Sequence, residues 1–198
     1  NSLPIPNLEI QNADMTIGKD SLKLSVENLS IYINLLNIYN FKDFKANKIV
    51  LNKNKLLLSD SDLKFLIVYI YDLKNRLTFK NLDLKINRKE EPLIALKKIE
   101  YSNYGYNKNI VTGELIGKKF KISIRDKFNK INFKLLNTGM TAEINFNEIK
   151  KESLISGVFK SKLLNSNLKF HFDYDDKKLK IYNSYFRSKY LSFNNEST

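Results

Sequence analysis

Cysteine and tryptophan are both absent from this chain of 198 residues. Without a thiol there is no disulfide, no thiolate metal site and no cysteine nucleophile. Glycine occurs only 6 times and proline only 3 times. Glycine-dependent hairpins are therefore few, and Asn, Asp, Lys and Ser are expected to build the turns. The single histidine, His171, has no second histidine with which to share a metal or a proton. No apolar run approaches the ~18 residues of a membrane-spanning helix, and no secretory leader opens the chain. Glycine-rich phosphate loops, nucleophile elbows and metal-spaced histidine pairs are also missing. The chain reads as non-enzymatic, with no cofactor and no metal.

Arginine is scarce as well. Only Arg76, Arg88, Arg125 and Arg187 stand among the 34 basic residues, although the net charge is +13. Such a balance implies an anionic partner, either nucleic acid or a membrane rich in anionic lipid. Specific phosphate and base recognition favours the planar arginine fork, so a lysine-dominated surface argues against nucleic acid. Lysine and asparagine are also spread throughout the chain, so part of the charge is compositional.

What the chain does have is alternation, with one apolar and one Lys/Asn/Ser face per segment. Leu8 and Ile10, then Met15 and Ile17, read as strand, with a bulge at Asn12-Ala13-Asp14. Leu22, Leu24 and Val26 follow. The stretch from Asn28 to Leu58 alternates through Leu29, Ile31 and Ile33 and loses phase at Leu35-Leu36. It resumes through Ile49, Leu51 and Leu56-Leu57-Leu58. Ser59-Asp60-Ser61-Asp62 is a helix start. Leu63, Leu66, Ile67, Ile70 and Leu73 then fall on one helical face, which predicts a helix over 62–75. Leu77 and Phe79, then Leu82, Leu84 and Ile86, require a turn or bulge near Lys80-Asn81. Further strands cover 93–101 and 110–116. Two hairpins follow, one with Phe120, Ile122 and Ile124 returning through Ile131, Phe133 and Leu135. The other has Leu168, Phe170 and Phe172 returning through Leu179 and Ile181. They share one sequence offset, as a repeated meander unit would. Ser184 to Phe193 reads as a last strand.

The expected fold is mainly β, a long curled antiparallel meander of roughly ten to thirteen strands with one short helix. It forms one segment over 1–198, either an open groove or sandwich-like. The abrupt ends at Asn1 and Thr198 read as cuts from a longer protein. Acidic groups offer no catalytic pair: Asp60 and Asp62 suit a helix cap, and Glu90-Glu91 a loop. Asp173, Asp175 and Asp176 match no calcium loop and read as a solvated turn. The candidate functional feature is an apolar stripe of Leu24, Val26, Ile31, Ile33, Leu82, Leu84, Ile122, Ile124, Phe133, Ile144, Phe170, Phe172 and Ile181. Those residues either close a sandwich core or line an open groove for acyl chains.

Two stretches carry a family resemblance: Leu29-Ser30-Ile31-Tyr32-Ile33 with Leu35-Leu36-Asn37-Ile38, and Phe44-Lys45-Ala46-Asn47-Lys48-Ile49-Val50-Leu51. Together they resemble the N-terminal part of AsmA-like proteins. Asn7 to Ala13 and Leu179 to Arg187 have the same character. The resemblance, shared with TamB-like proteins, implies a curled sheet with a hydrophobic groove. It further implies a periplasmic protein anchored in the bacterial inner membrane by a segment outside this chain. Phospholipid transport and outer-membrane biogenesis would be its work, with phospholipid acyl chains, the membrane surface and other envelope proteins as partners. The alternative is a basic nucleic-acid-binding module, suggested by Tyr101, Tyr104 and Tyr106 beside Lys108.

Overall fold

The computed structural model describes residues 7–17, 22–33, 46–59, 73–88, 91–147, 154–175 and 178–195, and also residues 62, 66, 69 and 70. The phase break at Leu35-Leu36 lies outside the described residues. The chain forms two compact units, Asn1–Gly117 and Lys118–Thr198. Both are mainly β, with strands paired in chain order in an open sheet.

The first unit carries β1 (Asn7–Ile17), β2 (Leu22–Ile33), β3 (Ala46–Ser59), β4 (Arg76–Arg88), β5 (Glu91–Ser102) and β6 (Ile110–Leu115). Neighbours are antiparallel except β3 and β4, which run parallel. The exception comes from the helical connection. Parallel neighbours need a crossover that leaves the sheet, and a helix usually supplies it. Asp62, Leu66, Tyr69 and Ile70 are helical, and Leu66 is buried. The start is capped as its sequence predicts. Asp62 Oδ2 accepts from the Ser59 amide at 3.1 Å and from its hydroxyl at 2.6 Å, while Ser59 Oγ accepts from the Asp62 amide at 3.3 Å. This is a reciprocal capping box. The helix stops earlier than its apolar face suggests, because Leu73 and Lys74 are irregular and Asn75 bends. Asn103 holds this segment extended. Its Nδ2 donates to the Asn75 carbonyl at 2.9 Å, and its Oδ1 accepts from the Leu77 amide at 2.8 Å.

Five neighbouring strands change phase, four of them along one line. On the core face, β1 steps from Ile10 to Ala13, β2 from Val26 to Leu29, and β3 from Leu51 to Asn54. In β4 the step is Phe79 to Leu82, and in β5 Leu96 to Ile99. Each is an odd step, which would invert a regular strand. The residues that absorb it include Asn12, Lys53, Asn81 and Lys98, all left-handed with φ of 52°, 55°, 52° and 50°. Glu27 holds the row in β2, and Lys53 Nζ reaches it at 2.7 Å. A left-handed L-residue costs roughly 1 kcal/mol. The return is that both halves of every strand face the same interior. Leu24, Val26, Leu29, Leu51, Leu56, Leu58, Leu77, Phe79, Leu82, Leu84, Ile86 and Ile99 are all buried there. Asn54 is buried among them, and its Nδ2 donates to the Lys80 carbonyl at 3.2 Å, beside the irregular backbone of Asn81.

The second unit carries β7 (Lys118–Arg125), β8 (Lys130–Leu135), β9 (Met140–Phe146), β10 (Leu154–Leu163), β11 (Ser166–Asp175), β12 (Lys178–Arg187) and β13 (Ser192–Asn195). All their pairings are antiparallel. The two hairpins expected to repeat differ in register. Ile124 faces Ile131, whereas Phe172 faces Ile181 rather than Leu179. A 3-10 turn at Asp126–Phe128 lengthens the first connection, while Asp175 pairs directly with Lys178 in the second. The slip is even, so the apolar face is kept. The expected last strand is broken, because Ser188 Oγ accepts from the Leu191 amide at 3.0 Å and turns the chain back into β13.

The line of phase changes makes a direct prediction. Deleting Lys53 removes the odd step from β3 alone and leaves β3 one residue short against β2 and β4, whose own steps at Glu27 and Asn81 remain. Urea titration of the deletion chain is expected to lose the cooperative transition of the first unit. Asn54→Ala, which leaves the row intact, should keep that transition and lower stability by about 1–3 kcal/mol.

Candidate functional site

The register fixes which side chains share a side, because directly opposed residues take the same face. In the second unit Ile122 faces Phe133, Ile131 faces Ile144, and Ile144 faces Phe159. Phe159 faces Phe170, Gly157 faces Phe172, and Phe172 faces Ile181. Ile122, Ile124, Phe133, Ile144, Phe170, Phe172 and Ile181 thus lie on one face, as the stripe requires. Leu24, Val26, Leu82 and Leu84 instead belong to the closed interior of the first unit. Ile31 and Ile33 sit near its margin, partly exposed.

The apolar face of the second unit is not closed. Phe120 is its one buried large hydrophobic side chain among the described residues, and Ile181, at 48% exposure, is open to solvent. Between these limits the stripe is half-buried. Phe146, Phe159 and Phe186 belong to the same face, although the stripe read from sequence omits them. Their signal was the alternation of their strands together with the register, which sequence alone did not provide. Aromatic pairs run across the strands: Phe120–Phe133 at 6.2 Å, Phe159–Phe170 at 4.8 Å and Phe186–Phe193 at 5.5 Å are stacked. Phe146 and Phe172 meet edge to face at 6.1 Å. They do so across Gly157, which pairs with both. A Cβ there would collide with the Asn145 carbonyl oxygen and come within 3.0 Å of the Phe172 ring.

The opposite face of the same sheet is basic. One row runs Lys121, Lys134, Thr141, Lys162, Asn167 and Arg187. The next runs Ser123, Asn132, Glu143, Lys160, Lys169 and Tyr185. A groove of about 600 Å³ lies among Lys134, Glu143, Lys160, Lys162, Lys169 and Tyr185. Glu143 is the carboxylate within these two rows. Lys130 and Lys160 approach it at 3.5 and 3.8 Å. A hydrogen bond from Asn145 Nδ2 is the main influence lowering its pKa. Burial opposes the shift, and the two lysines reinforce it. His171 also lies on this face, beside Tyr182 at 5.7 Å. Asp173 accepts from the Tyr182 hydroxyl at 3.3 Å, and Asp175 accepts from the Lys178 amide at 2.9 Å. Burial, and then the Asp173 charge, push the Tyr182 phenol up.

The three tyrosines of the β5–β6 region are separated in role. The Tyr101 hydroxyl points to Asn109 Oδ1 at 3.5 Å, and burial raises its pKa. Tyr104 packs beside Lys48 and Arg76. Tyr106 is fully exposed. They do not form a stacking row.

Two outcomes test this description. Gly157→Val should lower the stability of the second unit by more than about 1 kcal/mol, read from its denaturant midpoint, because backbone or ring must shift. For Glu143 the folded pKa lies below its ordinary value of 4.5. Its stabilising contribution is therefore complete above that value and is lost as pH falls through the lowered one. Glu143→Gln should flatten that part of the acid limb of a stability–pH profile. Comparison of the chain with family models, with curated proteins and with solved structures finds no match.

Proposed function

We propose that this chain is a non-enzymatic, AsmA-like envelope segment whose second unit shields phospholipid acyl chains from water. The observation that carries the reading is the open apolar face of β7–β13. Its phenylalanines and isoleucines share one side, yet no second layer of the unit covers them among the described residues. A folded domain ordinarily buries such a face against another element. An acyl chain satisfies the same requirement, at about 0.8 kcal/mol per methylene removed from water. No covalent step is needed. The sheet offers a continuous surface, and chains move along it without crossing a polar barrier.

The basic face has a complementary role. Lys121, Lys134, Lys160, Lys162 and Lys169 present strongly hydrated point charges on flexible stems, suited to an anionic membrane surface. Lipid between inner and outer membrane is the cargo, a periplasmic position with an inner-membrane anchor outside this chain is the setting, and outer-membrane biogenesis is the process. The family resemblance and the open face support the same reading from separate directions.

A photo-reactive amino acid placed at Phe133 or Phe170 is expected to crosslink to phospholipid in cells. The same probe at Asn132 or Lys169, on the basic face, should crosslink far less. Solvent extraction of the purified chain followed by mass spectrometry should recover diacyl lipid. Equal crosslinking on both faces, together with an extract free of lipid, would overturn the proposal.

A further inference from the structure

In the first unit, three side chains occupy directly paired positions. Tyr32 faces Lys48 across β2 and β3, and Lys48 faces Arg76 across the parallel β3–β4 pair. Alternation puts them on the face opposite Ile31, Ile49 and Leu77. Tyr104 joins them from the loop after β5. That loop is tightly placed. The Asn103 amide donates to the Leu77 carbonyl at 3.2 Å, its side chain bridges Asn75 and Leu77, and Ser102 Oγ donates to the Tyr104 carbonyl at 3.0 Å. Lys48 Nζ stands 4.9 Å from the Tyr32 ring centre and 5.7 Å from that of Tyr104. The Arg76 guanidinium stands 5.7 Å from the Tyr104 ring centre. The Thr78 hydroxyl donates to Tyr104 Oη at 3.0 Å.

This arrangement concentrates positive charge. Neighbouring strands lie about 4.8 Å apart, and like charges on opposed positions destabilise the pair. Two other cations of the first unit are matched with carboxylates, in Lys53–Glu27 and Lys98–Glu114. No ion pair among the described residues includes Lys48 or Arg76. The rings attract both cations, but a ring face carries no net charge to cancel them. The Tyr104 phenol registers the resulting field. Burial pushes its pKa up, yet the Thr78 hydrogen bond, the contact with Lys48 and the Arg76 charge together bring it below the ordinary tyrosine value.

We propose that Lys48, Arg76 and Tyr104 form a binding site for a phosphate group. A tetrahedral oxyanion has enough oxygens to use all three donors together. The guanidinium fork takes two oxygens, while the ammonium and the phenol approach others. The phosphate can belong to a lipid headgroup or to a soluble phosphate. The headgroup version rests on the acyl-chain reading, and the soluble version does not.

The test uses the whole chain at low ionic strength, titrated with inorganic phosphate and, separately, with vesicles of phosphatidylcholine with or without phosphatidic acid. With no tryptophan present, tyrosinate absorbance is readable, and subtracting the Tyr104→Phe profile isolates Tyr104. Bound phosphate should raise the Tyr104 titration midpoint. Removing both cations, in Lys48→Gln with Arg76→Gln, should weaken binding at least about tenfold. Arg76→Lys, which keeps the charge and loses the fork, should fall between, and Lys98→Gln should bind like the parent. A saturable response to inorganic phosphate identifies a soluble ligand. A response only to vesicles containing phosphatidic acid identifies a headgroup. No saturable response to either probe, or equal binding by parent and double variant, overturns the site. Lipid crosslinking at Phe133 and Phe170 lies in the other unit, so its failure alongside intact phosphate binding would sink the acyl-chain reading and leave the site standing.

Discussion

The period-two alternation of an extended chain governs this protein. In a β-strand one inserted residue sends every later side chain to the other face. The first unit accepts five such phase changes: those of β1–β4 fall in register through Asn12, Glu27, Lys53 and Asn81, and that of β5 at Lys98 is offset, with irregularities between β4 and β5 taking up the difference. A single misplaced insertion would split one strand's apolar set between core and solvent. A line of them changes the phase of four strands together, and those neighbours still agree. Of the four left-handed positions, asparagine suits two because its side chain tolerates left-handed backbone. Lysine at the other two shows that the fold, rather than local preference, imposes the conformation.

The two units meet this constraint differently. The first has a helical crossover, a parallel strand pair and a compact set of buried leucines. The second is a pure antiparallel meander whose apolar face is filled by phenylalanine pairs and left partly open. Aromatic rings suit that state, since stacked and edge-to-face pairs retain contact area even when one side is wet. Gly157 belongs to the same logic. Without a side chain of its own, it lets Phe146 and Phe172 meet above the backbone. The proposed acyl-chain role belongs to this unit because the other has closed its core.

Charge follows the same division of faces. In the second unit, lysines stand on alternate positions opposite the phenylalanines, so each strand separates an apolar side from a basic one. Around Lys48 and Arg76 in the first unit, the ladder register brings two cations together rather than pairing either with a carboxylate of the described residues. Composition gives the net charge of +13. It does not reveal that some cations are matched, as Lys53 is with Glu27, while others converge.

Alternation, scarce glycine and absent cysteine were enough to define a mainly β meander, because strand periodicity is a local property of the chain. The same local signals marked the irregular backbone at Asn12, the bulge at Lys80-Asn81 and the cap at Ser59 and Asp62. The apolar stripe was legible as residue type, and its second-unit members do share a face. Tertiary structure decided what each apolar residue does. Leu24, Val26, Leu82 and Leu84 alternate like Ile122, Phe133 and Phe170, yet the former are sealed and the latter open. The difference lies in what covers the face, which depends on contacts between residues distant in sequence. The parallel β3–β4 pair and the meeting of Lys48, Arg76 and Tyr104 were hidden for the same reason. Periodicity records which side a residue takes, and only pairing between strands determines its neighbours.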